Sequence, residues 1–410
     1  MAFFSKFIAA YASLRQRWAR HRVVPHMWQF LISLNKFLIL PIIKQKTVIP
    51  LQNKNNKSLL TLDIALFACV VILIGIGIGF LYSANRLFGV RQIIFLSVGF
   101  IFFVIASFVN CDIYKRMIKP IVICTIIMLI LTLIPHVGVS IKGASRWLGY
   151  GSFRFQPSEL AKMVVVFYLA AVLSDKENEI TDFMHGIMPP LIMTGFISIL
   201  VFLEPDFSTT FLMLFTALAL FYLAGMKISS LIILILSGTT AGVAMLFAAP
   251  YRARRLFAFL NPWEEPLGSG WHYIQSMKCF ALGKLFGVGI GESTQKIYAL
   301  PEAHNDYIFA IIAEEGGIIF AILIVLLFAA FTIIGLLIAR RSKDRYTYLL
   351  ASGITMIIFF QAMTNVAVVV GMLPSTGITL PFISSGGTSL IIFMTAIGIL
   401  LNISRRQKKL

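Results

Sequence analysis

Residues 301–309 read Pro-Glu-Ala-His-Asn-Asp-Tyr-Ile-Phe: Glu302, His304, Asn305 and Asp306 stand close together, and the chain then turns apolar at once. A carboxylate at such a boundary is partly stripped of water. Desolvation raises its proton affinity toward the range of a general base, and arginines nearby pull it back and keep it ionised. Asp306 is a candidate base on this ground, with a helix N-terminal cap as the competing reading. Tyr251-Arg252-Ala253-Arg254-Arg255 lies upstream; on one helical turn Arg252 and Arg255 share a side, a fork suited to two oxygens of a phosphate or pyrophosphate. The alternative is a charged surface turn.

Three further constellations stand out. Pro157-Ser158-Glu159-Leu160-Ala161-Lys162 opens an apolar stretch and puts Glu159 and Lys162 on one helix face at i,i+3. They form either a contact for a polar substrate head group or a self-neutralising pair that fixes packing. Glu204-Pro205-Asp206-Phe207 is a tight turn in which Asp206 is suited to cap the next helix. Glu314 and Glu315, ahead of Gly316-Gly317, fall inside an apolar stretch and imply a polar interior. Gly287-Val288-Gly289-Ile290-Gly291 is glycine-rich but lacks the strand-to-helix context of a phosphate loop. The four cysteines are scattered without metal spacing.

The elements that must position these residues are membrane helices. Of 410 residues 59% are hydrophobic and 13% charged, which excludes a water-soluble enzyme, and the net charge of +18 at a mean hydropathy of +0.89 belongs to a membrane protein, not a nucleic-acid binder. Bilayer-length apolar stretches lie at 62–82, 92–109, 117–134, 157–173, 186–203, 207–225, 228–249, 308–339, 346–372 and 383–403. The expected fold is therefore an all-α polytopic membrane protein of ten transmembrane helices. A large extracytoplasmic loop, 250–305, joins the seventh and eighth. Lys and Arg are more numerous in the alternate loops on the side of the termini, which places both termini in the cytoplasm. Residues 1–57 form a basic extension without an acidic residue, read as an interfacial helix or a disordered tail on the inner leaflet. Residues 58–403 are the membrane domain, and 404–410 a basic tail. The glycine- and serine-rich runs 371–377 and 384–389 break the backbone around the last span, which at membrane depth requires a polar cavity or protein cover.

Together these motifs resemble the SEDS family (shape, elongation, division and sporulation), which includes FtsW, RodA and SpoVE. The resemblance runs over about 62–403 and rests on Lys142-Gly143-Ala144-Ser145-Arg146-Trp147-Leu148, Phe155-Gln156-Pro157-Ser158-Glu159-Leu160-Ala161-Lys162, Glu204-Pro205-Asp206, Tyr251 to Arg255, Asn261-Pro262-Trp263, Pro301 to Asp306, and Leu373 to Pro381. The Pro-Glu-Ala-His tetrad and Gly377-Ile378-Thr379-Leu380-Pro381 look more like FtsW than RodA. The resemblance implies a peptidoglycan glycosyltransferase of the inner membrane that polymerises lipid II into β-1,4 glycan, catalysis at Asp306, and lipid II handling by Arg154 and Lys162. Substrate contacts are further expected at Lys142, Arg146, Glu159, Arg252, Arg255, Glu302 and His304, with Mg or Mn as an optional divalent cation. It also implies a class B penicillin-binding protein as partner, other divisome proteins, and work at the division septum. Departures from the family pattern are Ser208, Gly316 and Ser385. The rival expectations are a lipid-precursor flippase and a scaffold that only recruits partners.

Overall fold

The computed structural model describes residues 56–141, 144–150, 153–247, 257–268, 270–295 and 304–406. Lys142, Arg252, Arg255, Glu302 and nearly all of the basic N-terminal extension lie outside them. Helix α1 (Asn56–Ala84) gives way to α2 (Arg86–Phe108) at Asn85, whose side chain accepts the Leu87 amide at 2.9 Å. Asn110 caps the short α3 (Cys111–Arg116) in the same way, and α4 (Ile118–Leu133) follows. Helix α5 (Pro157–Asp175) begins on proline, which costs nothing where no amide partner exists. A π-helical turn leads into α6 (Met188–Leu203), then come α7 (Phe207–Leu223) and α8 (Ile228–Phe247). Asp206 caps α7 by accepting the Thr209 amide at 3.2 Å, as its place in the turn suggests. The remaining helices are α9 (Trp271–Gly283), α10 (Ile308–Glu315), α11 (Gly317–Arg340), α12 (Arg345–Val369) and α13 (Gly387–Arg406).

Among the described residues seven helical stretches are long and apolar enough to cross a membrane, and three shorter apolar helices accompany them: Ile118–Leu133, Phe207–Leu223 and Ile228–Ala244. Helices α5, α12 and α13 are the most enclosed, while α2 turns Ile94, Ile101 and Phe108 outward, the pattern of a lipid-facing helix. Small residues let the central helices touch. A Cβ on Gly398 of α13 would stand 2.4 Å from the Phe103 carbonyl of α2.

Two expectations need correction. The chain is mostly helical but not all-α: β1 (Val139–Ile141), β2 (Ala144–Tyr150) and β3 (Phe153–Phe155) form an antiparallel sheet in the order β1-β2-β3. Trp147 and Phe155 suit a pleated surface, and the segment is too short and too basic to span. The stretch 308–339 is two helices, because Gly317 adopts φ +78° and turns the chain between α10 and α11. Within 250–305, α9 packs against the helical bundle: Tyr273, Gln275, Ser276 and Cys279 are buried, and the Ser276 hydroxyl donates to the Val369 carbonyl of α12 at 2.6 Å.

Candidate functional site

Asp306 occupies the turn of 304–307 that leads into α10, and it is half-buried. Its backbone is held from α12. Asn365, 1% exposed, donates through Nδ2 to the Asp306 carbonyl at 2.8 Å and to the Ile378 carbonyl at 2.7 Å. One amide group thus ties the turn before α10 to the irregular segment before α13. Gly377 closes one side of the carboxylate: a Cβ there would lie 3.5 Å from Asp306 Oδ2, and φ +73° is left-handed. The approach to Asp306 is fastened as well. The His304 ring stacks on Phe88 at 3.7 Å between centroids, and its carbonyl accepts the Ser385 amide at 3.0 Å. The rings of His272 on α9 and Tyr307 stack at 5.4 Å.

Of the two runs expected to break the backbone, 371–377 is partly exposed, and the irregular chain that protein covers is 378–384, between that run and the second. Ile378, Leu380, Phe382, Ile383 and Ser384 are buried, and side chains of two helices satisfy their main chain. Gln361 Nε2 donates to the Thr379 carbonyl at 3.1 Å, Gln92 Nε2 to the Ser384 carbonyl at 3.1 Å, and the Ser384 hydroxyl accepts the Leu380 amide at 2.8 Å. Buried backbone groups left without such partners would each cost about 1–3 kcal/mol. Ser208, one of the departures from the family pattern, donates its hydroxyl to the Thr376 carbonyl at 2.5 Å.

Glu159 and Lys162 meet as their spacing predicts, at 2.8 Å with Lys162 2% exposed. Lys162 Nζ also donates to Gln361 Oε1 at 2.6 Å and lies 5.6 Å from the Phe393 ring centre. Gln361 and Asn365 are i,i+4 on α12, so one helix face reads the Lys162 pair, the Thr379 and Ile378 carbonyls and the Asp306 backbone in succession. Arg146, on β2, donates from Nε to the Glu204 carbonyl at 3.0 Å and from its other arm to the Pro205 carbonyl, which clamps the turn before α7. Arg154, on β3, is exposed, and its carbonyl lies 3.4 Å from the Thr388 hydroxyl at the start of α13.

Glu204 is fully buried, and burial pushes its carboxyl up to about 8. Geometry agrees with a retained proton. The Thr132 hydroxyl has one hydrogen and sits between the Leu129 carbonyl, 2.6 Å away, and the Glu204 carboxyl. Both contacts are satisfied when Glu204 donates to Thr132 and Thr132 donates to Leu129. Glu314 and Glu315 are each 1% exposed and answer the expected polar interior. Glu314 accepts the Ser293 hydroxyl at 2.6 Å and the Thr294 amide at 3.1 Å; Glu315 accepts the Ser83 hydroxyl at 2.9 Å.

The structure therefore brings Asp306, His304, Glu159 and Lys162 onto one connected framework, with Arg146 and Arg154 on the sheet beside it. Sequence reading missed Gln361 and Asn365. Polar amides inside an otherwise apolar stretch were the available signal, since they must find partners at that depth.

What the fold and the site define is a polytopic helical membrane protein in which an aspartate at a helix mouth is braced by a buried polar seam. The family model described as cell cycle protein, of FtsW, RodA and SpoVE, matches residues 55–409, and the chain belongs to that family. Stage V sporulation protein E of Bacillus subtilis is 38% identical over 357 residues, covering 84% of this chain and 98% of that one. The probable peptidoglycan glycosyltransferase FtsW of Escherichia coli O6:H1 is 40% identical over 321 residues, 77% of each. In fold the chain is similar to one from a solved peptidoglycan synthase complex (TM-score 0.73, 24% identity, 83% of this chain and 97% of that). It is also similar to the rod shape determining protein RodA of Thermus thermophilus (TM-score 0.62, 23% identity, 83% and 96%).

Proposed function

We propose that this chain is a peptidoglycan glycosyltransferase that polymerises lipid II at the outer face of the cytoplasmic membrane, in the cell wall made at the division septum. The observation that carries the reading is Asp306, a single carboxylate at a helix mouth with its backbone fixed by Asn365 and one side closed by Gly377, in a member of this family. Transfer from a pyrophosphate needs less of the protein than hydrolysis of a glycoside does, because the leaving group is already competent and one base suffices. Asp306 takes the proton of the acceptor 4-hydroxyl. The hydroxyl oxygen bonds to the donor's anomeric carbon, the bond from that carbon to the pyrophosphate oxygen breaks, and the lipid pyrophosphate departs with the electron pair. Arg252 and Arg255 hold that pyrophosphate, and substrate contacts are assigned to Arg154, Arg146, Lys142, Glu302 and His304. Mg or Mn belongs to the same expectation. No three metal-ligating side chains cluster among the described residues, so no step is assigned to a cation.

The three shorter apolar helices complete ten crossings with both termini in the cytoplasm, and the partner is a class B penicillin-binding protein with other divisome proteins around it. A flippase would need polar groups free along a path. The polar groups of Glu159, Lys162, Gln361 and Thr379 are instead largely engaged with one another. The test is polymerisation of purified lipid II by this protein, alone and with its partner. Glycan from the wild type and none from Asp306→Asn, which keeps size and loses basicity, is the expected result. Full activity of Asp306→Asn removes the base.

A further inference from the structure

The glycine-rich run at 287–291 has no part in the chemistry above, yet it meets the far end of the helix that the Asp306 turn leads into. In an unbroken helix the amides of Ile318 and Ile319 would bond to the carbonyls of Glu314 and Glu315. Here they bond to the carbonyls of Lys284 and Leu285, at 3.0 and 3.3 Å, while the Glu314 and Glu315 carbonyls accept the amides of Val288 and Gly289, at 3.0 and 3.1 Å. The turn after α9 has been threaded into the ladder between α10 and α11, and it replaces two rungs with four bonds of its own. Glycine makes this possible at the contact. A Cβ on Gly287 would stand 2.1 Å from the Glu315 carbonyl oxygen, and one on Gly317 2.3 Å from the Leu285 carbonyl oxygen; both have left-handed φ, +82° and +78°. Glu314 locks the far end of the turn through Ser293 and Thr294.

We infer that residues 284–289 are a positioning element for Asp306: by standing in for two rungs of the helix they fix the direction in which α10 leaves α11, and hence the place of the carboxylate at its mouth. The inference rests on Asp306 being the base. Withdrawal of the turn would free the same donors and acceptors to close a continuous helix through Gly316 and Gly317, and Asp306 would move with α10. The turn is a positioning element and touches no substrate, so its loss should depress turnover and leave the Michaelis constant for lipid II nearly unchanged.

The test joins a distance to a rate. Nitroxide labels are placed at Leu282→Cys, on α9 ahead of the turn, and Leu326→Cys on α11, both exposed, after Cys69 and Cys124 are replaced by alanine. The wild type should give one narrow distance distribution. Gly317→Ala should shift it and lower kcat roughly tenfold or more, with KM held. Gly289→Ala is the milder companion if Gly317→Ala fails to fold, because its φ of +113° is strained for alanine while its nearest neighbour is Glu292 Cγ at 3.7 Å. An unchanged distance in the folded variants, or a shifted distance with full kcat, overturns the inference; a rise in KM alone overturns it too. Should the wild type make no glycan, the polymerase reading fails, and an unshifted distance would still refute the threaded joint by itself.

Discussion

Lys162→Met is the most informative single change. It keeps side-chain length and removes the ammonium that Glu159 Oε1 meets at 2.8 Å, while Glu159 Oε2 is already buried without a hydrogen-bond partner. A carboxylate left in such a place costs about 3–5 kcal/mol. Gln361 Oε1 loses its donor as well, for about 1–3 kcal/mol more. Even the carboxylate term alone lowers the folded-to-unfolded ratio by roughly two to three and a half orders of magnitude. Glu159→Gln is gentler, since Lys162 keeps Gln361 as acceptor and the Phe393 ring beside it. The double variant Glu159→Gln, Lys162→Met should recover most of the loss, leaving chiefly the Gln361 term. Thermal unfolding in detergent and glycan assays on the same preparations separate two roles. A pair that only packs helices gives a stable, active double variant, and a lysine that contacts the substrate head group gives a stable, inactive one. Wild-type melting of Lys162→Met alone would refute the reasoning that the charge pair is buried and coupled.

Asn365→Leu removes both donations that hold Asp306 and Ile378; about 1–3 kcal/mol of stability and a loss confined to kcat are expected, read by melting and steady-state rates, with Asn365→Asp worse because an ionised carboxylate faces two carbonyls. Glu204 gives a pH signature. Its folded pKa of about 8 lies above the ordinary 4.5, so its contribution is whole below pH 4.5 and is lost as pH rises through 8; melting of Glu204→Gln should lack that slope and match or exceed wild type at pH 9. Arg252→Ala and Arg255→Ala should each cut polymerisation strongly, with lysine a partial rescue; full rescue by lysine at both positions would contradict paired hydrogen bonding to pyrophosphate. An impermeant thiol reagent should reach Leu267→Cys in intact cells, and labelling of a cysteine placed before residue 58 would instead invert the topology.

Most helices were legible because bilayer-length apolar runs leave the backbone one solution, and α5, α6, α7 and α12 begin within three residues of the expected stretches. The caps at Asp206 and the pairing of Glu159 with Lys162 were legible too, since both depend on spacing along one helix. What escaped depends on partners remote in sequence. Ser83 reaches Glu315 across 232 positions and Gln92 reaches Ser384 across 292, and no local pattern announces either. Glycine at 287 looked like loop composition until its partner at 317 was beside it. The sheet was hidden by brevity: two of its three strands are three residues long and carry too little alternation to separate from a basic loop.

The covered segment 378–384 sets an order of synthesis. Its carbonyls at 378, 379 and 384 are satisfied by Asn365, Gln361 and Gln92, and none of those groups belongs to the helix that follows it. When α13 leaves the ribosome the preceding bundle must already stand ready to receive this stretch, because lipid would leave the same main-chain groups bare. The final helix is thus a late guest in a finished socket. A chain delayed at that step would present an unsealed seam to whatever surveys newly made membrane proteins.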